Sequence, residues 1–179
     1  MTTIRGFIAA SLDGYIADRD GRVDFLNPYE TVDYSFAEFF AEVGTCVFGR
    51  LTYEQSFTFG GDWPFASKRV MVVASKPLTR QPANVAVWPG RVDQSLVSRL
   101  RAAEGGDVWI VGGTTLQSAL LDLGALDRLE LGVVPVLLGD GVPLFQKSAR
   151  QHRLTLQGVR QLPKGLVMLD YRVGGPGPD

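Results

Sequence analysis

The chain has 179 residues, enough for one ordinary domain that buries a continuous core without metal or disulfide support. A formal net charge of -1 speaks against a nucleic-acid backbone or an anionic membrane surface as partner. The single cysteine, Cys46, excludes an intrachain disulfide and, set in the run Thr45-Cys46-Val47-Phe48, reads as a buried small hydrophobe.

Ile4 to Ala10 predicts a first strand whose small residues let a ligand lie flat against the backbone near its end. At nine residues, the apolar segment Ile4 to Leu12 is too short to span a bilayer, and no cleavage pattern follows Asp13, so a soluble cytoplasmic protein is expected. Ser11 to Ala17 turns away into the polar loop Asp18 to Arg22. Thr31 or Asp33 then caps a predicted helix that runs to about Val43, with Phe36, Phe39, Phe40 and Val43 on its core face.

Thr45 to Phe48 is a short strand, and Gly49-Arg50-Leu51-Thr52-Tyr53-Glu54 opens a helix directly behind it. Arg50 beside that turn is either a solvated surface arginine or a phosphate clamp. Phe57 to Phe65, aromatic and glycine-rich, has no helical or strand period and reads as a shaped loop. Arg69 to Ser75 is a third buried strand stopped by Lys76-Pro77, Val85 to Trp88 a fourth, and Asp93 caps a helix from Gln94 to Ala103.

Asp107 to Val111 is again a strand, closed by Gly112-Gly113-Thr114-Thr115 before helical spacing begins. The two glycines either make a tight packing turn or let an anion reach the free N–H groups of the helix. Asp127 to Pro135 is a strand and Val136 to Phe145 a glycine-rich excursion. Arg153 to Gln161 and Leu166 to Val173 form an antiparallel hairpin about Pro163-Lys164-Gly165, and 174–179 is expected to be a disordered tail behind a single domain, 1–173. His152, the only histidine, has no ligand cluster around it, so neither a histidine metal site nor a Ser-His-Asp triad is indicated.

Strands and helices in alternation predict an α/β fold with a largely parallel sheet, whose carboxyl ends share one edge. Ala9, Gly49-Arg50, Ser75-Lys76 and Val111-Gly112-Gly113 then lie along it and suit a phosphate-bearing nucleotide: the amides of Gly113 and Thr114 for one anionic group, Arg50, Ser75 and Lys76 for another. The G-x-G-x-x-G and G-x-x-x-x-G-K-[ST] patterns are both absent.

Ala10-Ser11-Leu12-Asp13-Gly14-Tyr15-Ile16-Ala17, Gly49 to Glu54, Val111 to Thr114, Leu123 to Asp127 and Pro135 to Phe145 carry a resemblance in order and spacing. From about Thr3 to Val173 the chain resembles the family that joins dihydrofolate reductases with the C-terminal reductase domain of the riboflavin-biosynthesis bifunctional deaminase-reductase. The resemblance implies a three-layer fold with a mixed sheet of about eight strands and NADPH across its carboxyl edge. It implies that Ala9 and Ile16 hold the nicotinamide and that Arg50, Ser75 and Lys76 surround the 2′-phosphate. Gly112, Gly113 and Thr114 would turn about the pyrophosphate, with Gly49, Leu51, Thr52, Val111 and Thr115 completing the cradle.

Hydride transfer to a C=N or C=O acceptor also needs a proton source. Asp33 is either a helix cap or, by resemblance, the substrate-binding acid; Asp13 is either a turn residue or a second acid. Tyr15, Phe57 and Trp63 are expected to wall the acceptor. Two features depart from the riboflavin-pathway enzymes: no Asp-Asp-Pro segment follows the second helix, and the zinc deaminase motifs are missing. The expected activity is reduction of a small heterocycle, the ribosylaminopyrimidine of riboflavin synthesis being the nearest named case. Folate or pteridine reduction is the first alternative and a non-catalytic nucleotide-binding module the second. A homodimer is expected by resemblance and from the apolar edge hairpin.

Overall fold

The computed structural model describes residues 2–58, 61–148 and 150–174. The expected tail beyond Gly174 and the loop residues Phe59 and Gly60 lie outside the described residues.

An eight-stranded sheet carries the fold. Its strands are β1 (Ile4–Ser11), β3 (Val43–Gly49), β4 (Arg69–Val73), β5 (Val85–Trp88), β6 (Asp107–Gly112), β7 (Arg128–Val134), β9 (Leu154–Gln161) and β10 (Val167–Val173), in the order β5-β4-β3-β6-β1-β7-β10-β9. The first six are mutually parallel, and β10 and β9 add antiparallel to β7. The expected mixed, mostly parallel sheet and C-terminal hairpin are thus both present. β1, between β6 and β7, has no exposed residue, as a strand covered on both faces requires.

Helices α1 (Phe36–Glu42) and α2 (Arg50–Gln55) contribute to a core of Phe7, Phe39, Phe48, Tyr53, Phe65 and Trp109 on one face of the sheet. Helices α3 (Gln94–Arg101) and α4 (Thr114–Asp122) bury Leu96, Val97, Leu100, Leu116 and Leu120 in a second core on the other. Cys46 is fully buried among the aromatic residues, and burial pushes its thiol up to about 12, in keeping with its reading as a small hydrophobe. Asp93 caps α3 as expected, accepting from the Ser95 and Leu96 amides.

Helix α1 corrects the sequence reading. It starts at Phe36 rather than after Thr31 or Asp33, because Ser35 enters the left-handed region at φ 63° and turns the chain. Asp33 caps no helix and instead accepts from the Ser35 amide at 2.9 Å. A 3-10 turn at Asp24–Tyr29, with Pro28 inside it, fills the segment before, which sequence reasoning left blank. A two-stranded ribbon was also missed: β2 (Tyr15–Ala17) pairs with β8 (Val142–Pro143), folding the glycine-rich excursion back over the end of β1.

Candidate functional site

Two strand-glycine-helix turns sit side by side at the carboxyl edge. β3 and β6 are neighbours, with Phe48 opposite Gly112, so Gly49 leads into α2 beside the place where Gly113 leads into α4. The turns touch: a Cβ on Gly49 would lie 3.5 Å from the Gly113 nitrogen, and one on Gly113 would lie 3.2 Å from the Thr52 hydroxyl oxygen. Gly112, at φ 151°, takes a backbone conformation that side chains rarely adopt, and its own Cβ would come within 3.3 Å of the Thr52 methyl. Small residues are therefore required here for packing, whatever binds.

No side chain caps the first turn of α4. The Thr114 hydroxyl donates away from it, to the Pro143 carbonyl at 2.8 Å, which ties β8 to the helix start. The helix thus presents uncapped amides and a positive dipole end at the sheet edge.

These turns line a cavity of about 1110 Å³. Ala9, Ile16, Gly49, Arg50, Leu51, Thr52, Val111, Gly112, Gly113, Thr114 and Thr115 all border it, so eleven of the thirteen residues expected to hold a cofactor meet in one place. Ser75 and Lys76 do not border it; they follow the end of β4 and are exposed. Arg50 donates to the Glu54 carboxylate at 2.9 Å, which partly neutralises the expected phosphate partner.

The residues expected to flank the acceptor are placed elsewhere. Phe57 and Trp63 stack on each other at 5.0 Å and both sit edge-on to Tyr53, while the Trp63 indole donates to the Ser56 hydroxyl at 3.0 Å. Tyr15 pairs with Pro143 in the ribbon, and none of the three borders the cavity. Asp33 and Asp13 do not border it either. Asp13 accepts from the Ser11 hydroxyl at 2.6 Å and from the Leu138 and Gly139 amides at 3.1 and 2.7 Å, pinning the excursion to the β1–β2 turn. The Ser11 bond, opposed by burial and helped by the two amides, holds its carboxyl below the usual carboxylate range.

Sequence reasoning missed the far wall. It is built from Leu26 and Tyr29 of the 3-10 turn, Glu30 just after it, Tyr34 just before α1 and Phe36 at its start, Gly132 and Val134 on β7, and Leu166 and Met168 at the second hairpin strand. Tyr34 packs beside Phe7, its ring centroid 6.0 Å away, and burial raises its hydroxyl above the ordinary tyrosine value, so it stays a neutral O–H donor. The only signal in the sequence was an aromatic cluster near Asp33.

Residues 2–168 match the model of the RibD C-terminal domain. The uncharacterized protein YwjB of Bacillus subtilis is 32% identical over 92% of this chain and 94% of its own length. Among solved structures, a Shewanella sp. PV-4 protein named, provisionally, for riboflavin biosynthesis is 28% identical with a TM-score of 0.85, covering 97% of this chain and 100% of that one. Dihydrofolate reductase from Enterococcus faecalis, solved with NADP(H), shares the fold at a TM-score of 0.62 and 20% identity, covering 96% and 94% of the two chains.

Proposed function

Because the chain belongs to the RibD C-terminal domain family, we propose that it is an NADPH-dependent reductase that delivers hydride to a small heterocycle held in the edge cavity. The observation that carries this reading is the convergence of both strand-glycine-helix turns, Ala9 and Ile16 on one cavity. The residues present fit the cofactor: uncapped α4 amides at Gly113 to Thr115 suit a pyrophosphate, and Arg50 suits a 2′-phosphate once Glu54 yields it. NADPH would supply the hydride.

This chain's own residues then bind, orient and exclude water. Ala9 and Gly132 lie side by side on β1 and β7, and the Met168 sulfur already covers Gly132, 3.1 Å from where a Cβ would sit, so the open floor for a flat ring is on the Ala9 side. Tyr34 offers a neutral hydroxyl to a carbonyl or imine of the acceptor, and the apolar wall favours a planar ring over solvent. Asp33 and Asp13, the acids named from sequence, hold backbone amides outside the cavity, so Tyr34 is the donor preferred here.

The same reading includes a homodimer and a cytoplasmic location. β9 is an edge strand with Leu154, Leu156 and Val159 exposed, an apolar strip suited to burial against a second copy. Among the described residues no helix is long and apolar enough to cross a membrane.

The test is a spectrophotometric screen of NADPH oxidation against pyrimidines, pteridines, flavins and quinones. Turnover with at least one acceptor, faster with NADPH than with NADH, is the expected result. NADPH binding with no turnover on any acceptor would favour the non-catalytic module, and no thermal stabilisation at millimolar NADPH would remove the cofactor site altogether.

A further inference from the structure

The charges around the cavity say what kind of acceptor it takes. Among the described residues that border it, the charged ones are Glu30, Arg50 and Asp62. Arg50 sits at the cofactor turns and is already paired with Glu54. Glu30 closes the 3-10 turn and Asp62 comes from the loop behind α2; both are exposed at the cavity's border, so away from Arg50 its described lining carries two carboxylates and no cation.

Arg160, Lys164 and Arg22 lie close to residues on the tyrosine side of the cavity, and none of the three borders it. Arg160 donates to the Ser35 hydroxyl at 2.9 Å and the Tyr34 carbonyl at 3.3 Å. Lys164 donates to the Pro28 carbonyl and to the Thr31 hydroxyl, and Arg22 lies 3.7 Å from Asp20. Arg160 and Lys164 are engaged in these bonds, whereas Arg22 is largely exposed and only loosely paired.

Burying a phosphate or carboxylate without a cation is costly, and a bound NADPH adds negative charge to the same space. We propose that the acceptor is a planar aromatic compound, neutral or cationic, that bears neither phosphate nor carboxylate. The inference rests on the reductase reading and sets this chain apart from reductases whose substrate is a ribose phosphate.

Equilibrium dialysis against two matched pairs tests it: riboflavin with FMN, and a ribosylaminopyrimidine with its 5′-phosphate, each on protein saturated with NADP+. The phosphate-free member should bind about tenfold tighter or more in at least one pair, a difference of about 1.4 kcal/mol. In the doubly substituted Glu30→Lys, Asp62→Lys protein that preference should fall below about threefold through tighter binding of the phosphorylated member. Equal or tighter binding of the phosphorylated members by the wild-type protein would overturn the inference. So would failure of all four probes to bind, or an unchanged preference in a variant with a native circular dichroism spectrum. NADP+ affinity, read separately by tryptophan fluorescence, reports on the cofactor reading: no NADP+ binding by the wild-type protein would sink that reading and this inference with it, whereas NADP+ binding without the acceptor preference would overturn this inference alone.

Discussion

Arg50 links the cavity's charge to the proposed cofactor. Its guanidinium is shared with Glu54 one helical turn on, so a 2′-phosphate must compete for it. Arg50→Ala should raise the KM for NADPH about 10- to 100-fold, the range for a lost hydrogen bond to a charged group, and change the KM for NADH far less. Glu54→Gln should move the NADPH value the other way. Tyr34→Phe should lower kcat about two- to tenfold, as befits one hydrogen bond to a neutral group, whereas Asp33→Asn should leave it nearly unchanged; the reverse ranking would restore Asp33 as the substrate acid. Asp13 belongs to stability. Its carboxyl titrates below its unfolded value, so its contribution is full above about pH 4 and is lost as pH falls through the lower folded value. Acid-unfolding curves should therefore converge for wild type and Asp13→Asn at low pH and separate above it, with the variant less stable.

At the level of the elements, the two glycine turns were legible because a strand that stops at glycine and restarts as a helix has a local signature, and both stand where the chain pattern put them. The opposite wall was not legible. Tyr29, Tyr34, Leu166 and Met168 come from a 3-10 turn, a helix start and a hairpin strand separated by more than a hundred residues in some pairs, and only the sheet order brings them together. Phe57 and Trp63 look like a binding face in a linear reading because nothing local says that they stack on each other. The β2–β8 ribbon was hidden for the same reason, since Val142-Pro143 has no strand period of its own. It depends on Gly141, at φ 158°, whose added Cβ would collide with the Ala17 carbonyl oxygen. Gly141→Ala should separate the ribbon, and amide hydrogen exchange at Tyr15 to Ala17 should accelerate while exchange in β6 stays slow.

Over the whole molecule, the two ends of the sheet separate a stabilising charge network from the candidate site. At the amino edge Arg5 is 3% exposed, meets Glu42, Asp107 and Glu130, and lies over the Phe39 ring at 4.7 Å. Burial lowers the proton affinity of its guanidinium, and its hydrogen bonds to the carboxylates more than reverse that. Arg5→Ala should cost about 3–5 kcal/mol in urea unfolding, as removal of one member of a buried ion network does, without touching the cavity. At the carboxyl edge, β3 and β6 end in glycines, and the space their small residues leave open is where the cofactor is proposed to lie. A crystal structure of the protein soaked with NADPH tests that proposal most directly. The account predicts the pyrophosphate within hydrogen-bonding distance of the Gly113 to Thr115 amides, the 2′-phosphate at Arg50 and the nicotinamide over Ala9. A cofactor bound elsewhere, or none at a concentration that saturates turnover, would contradict it.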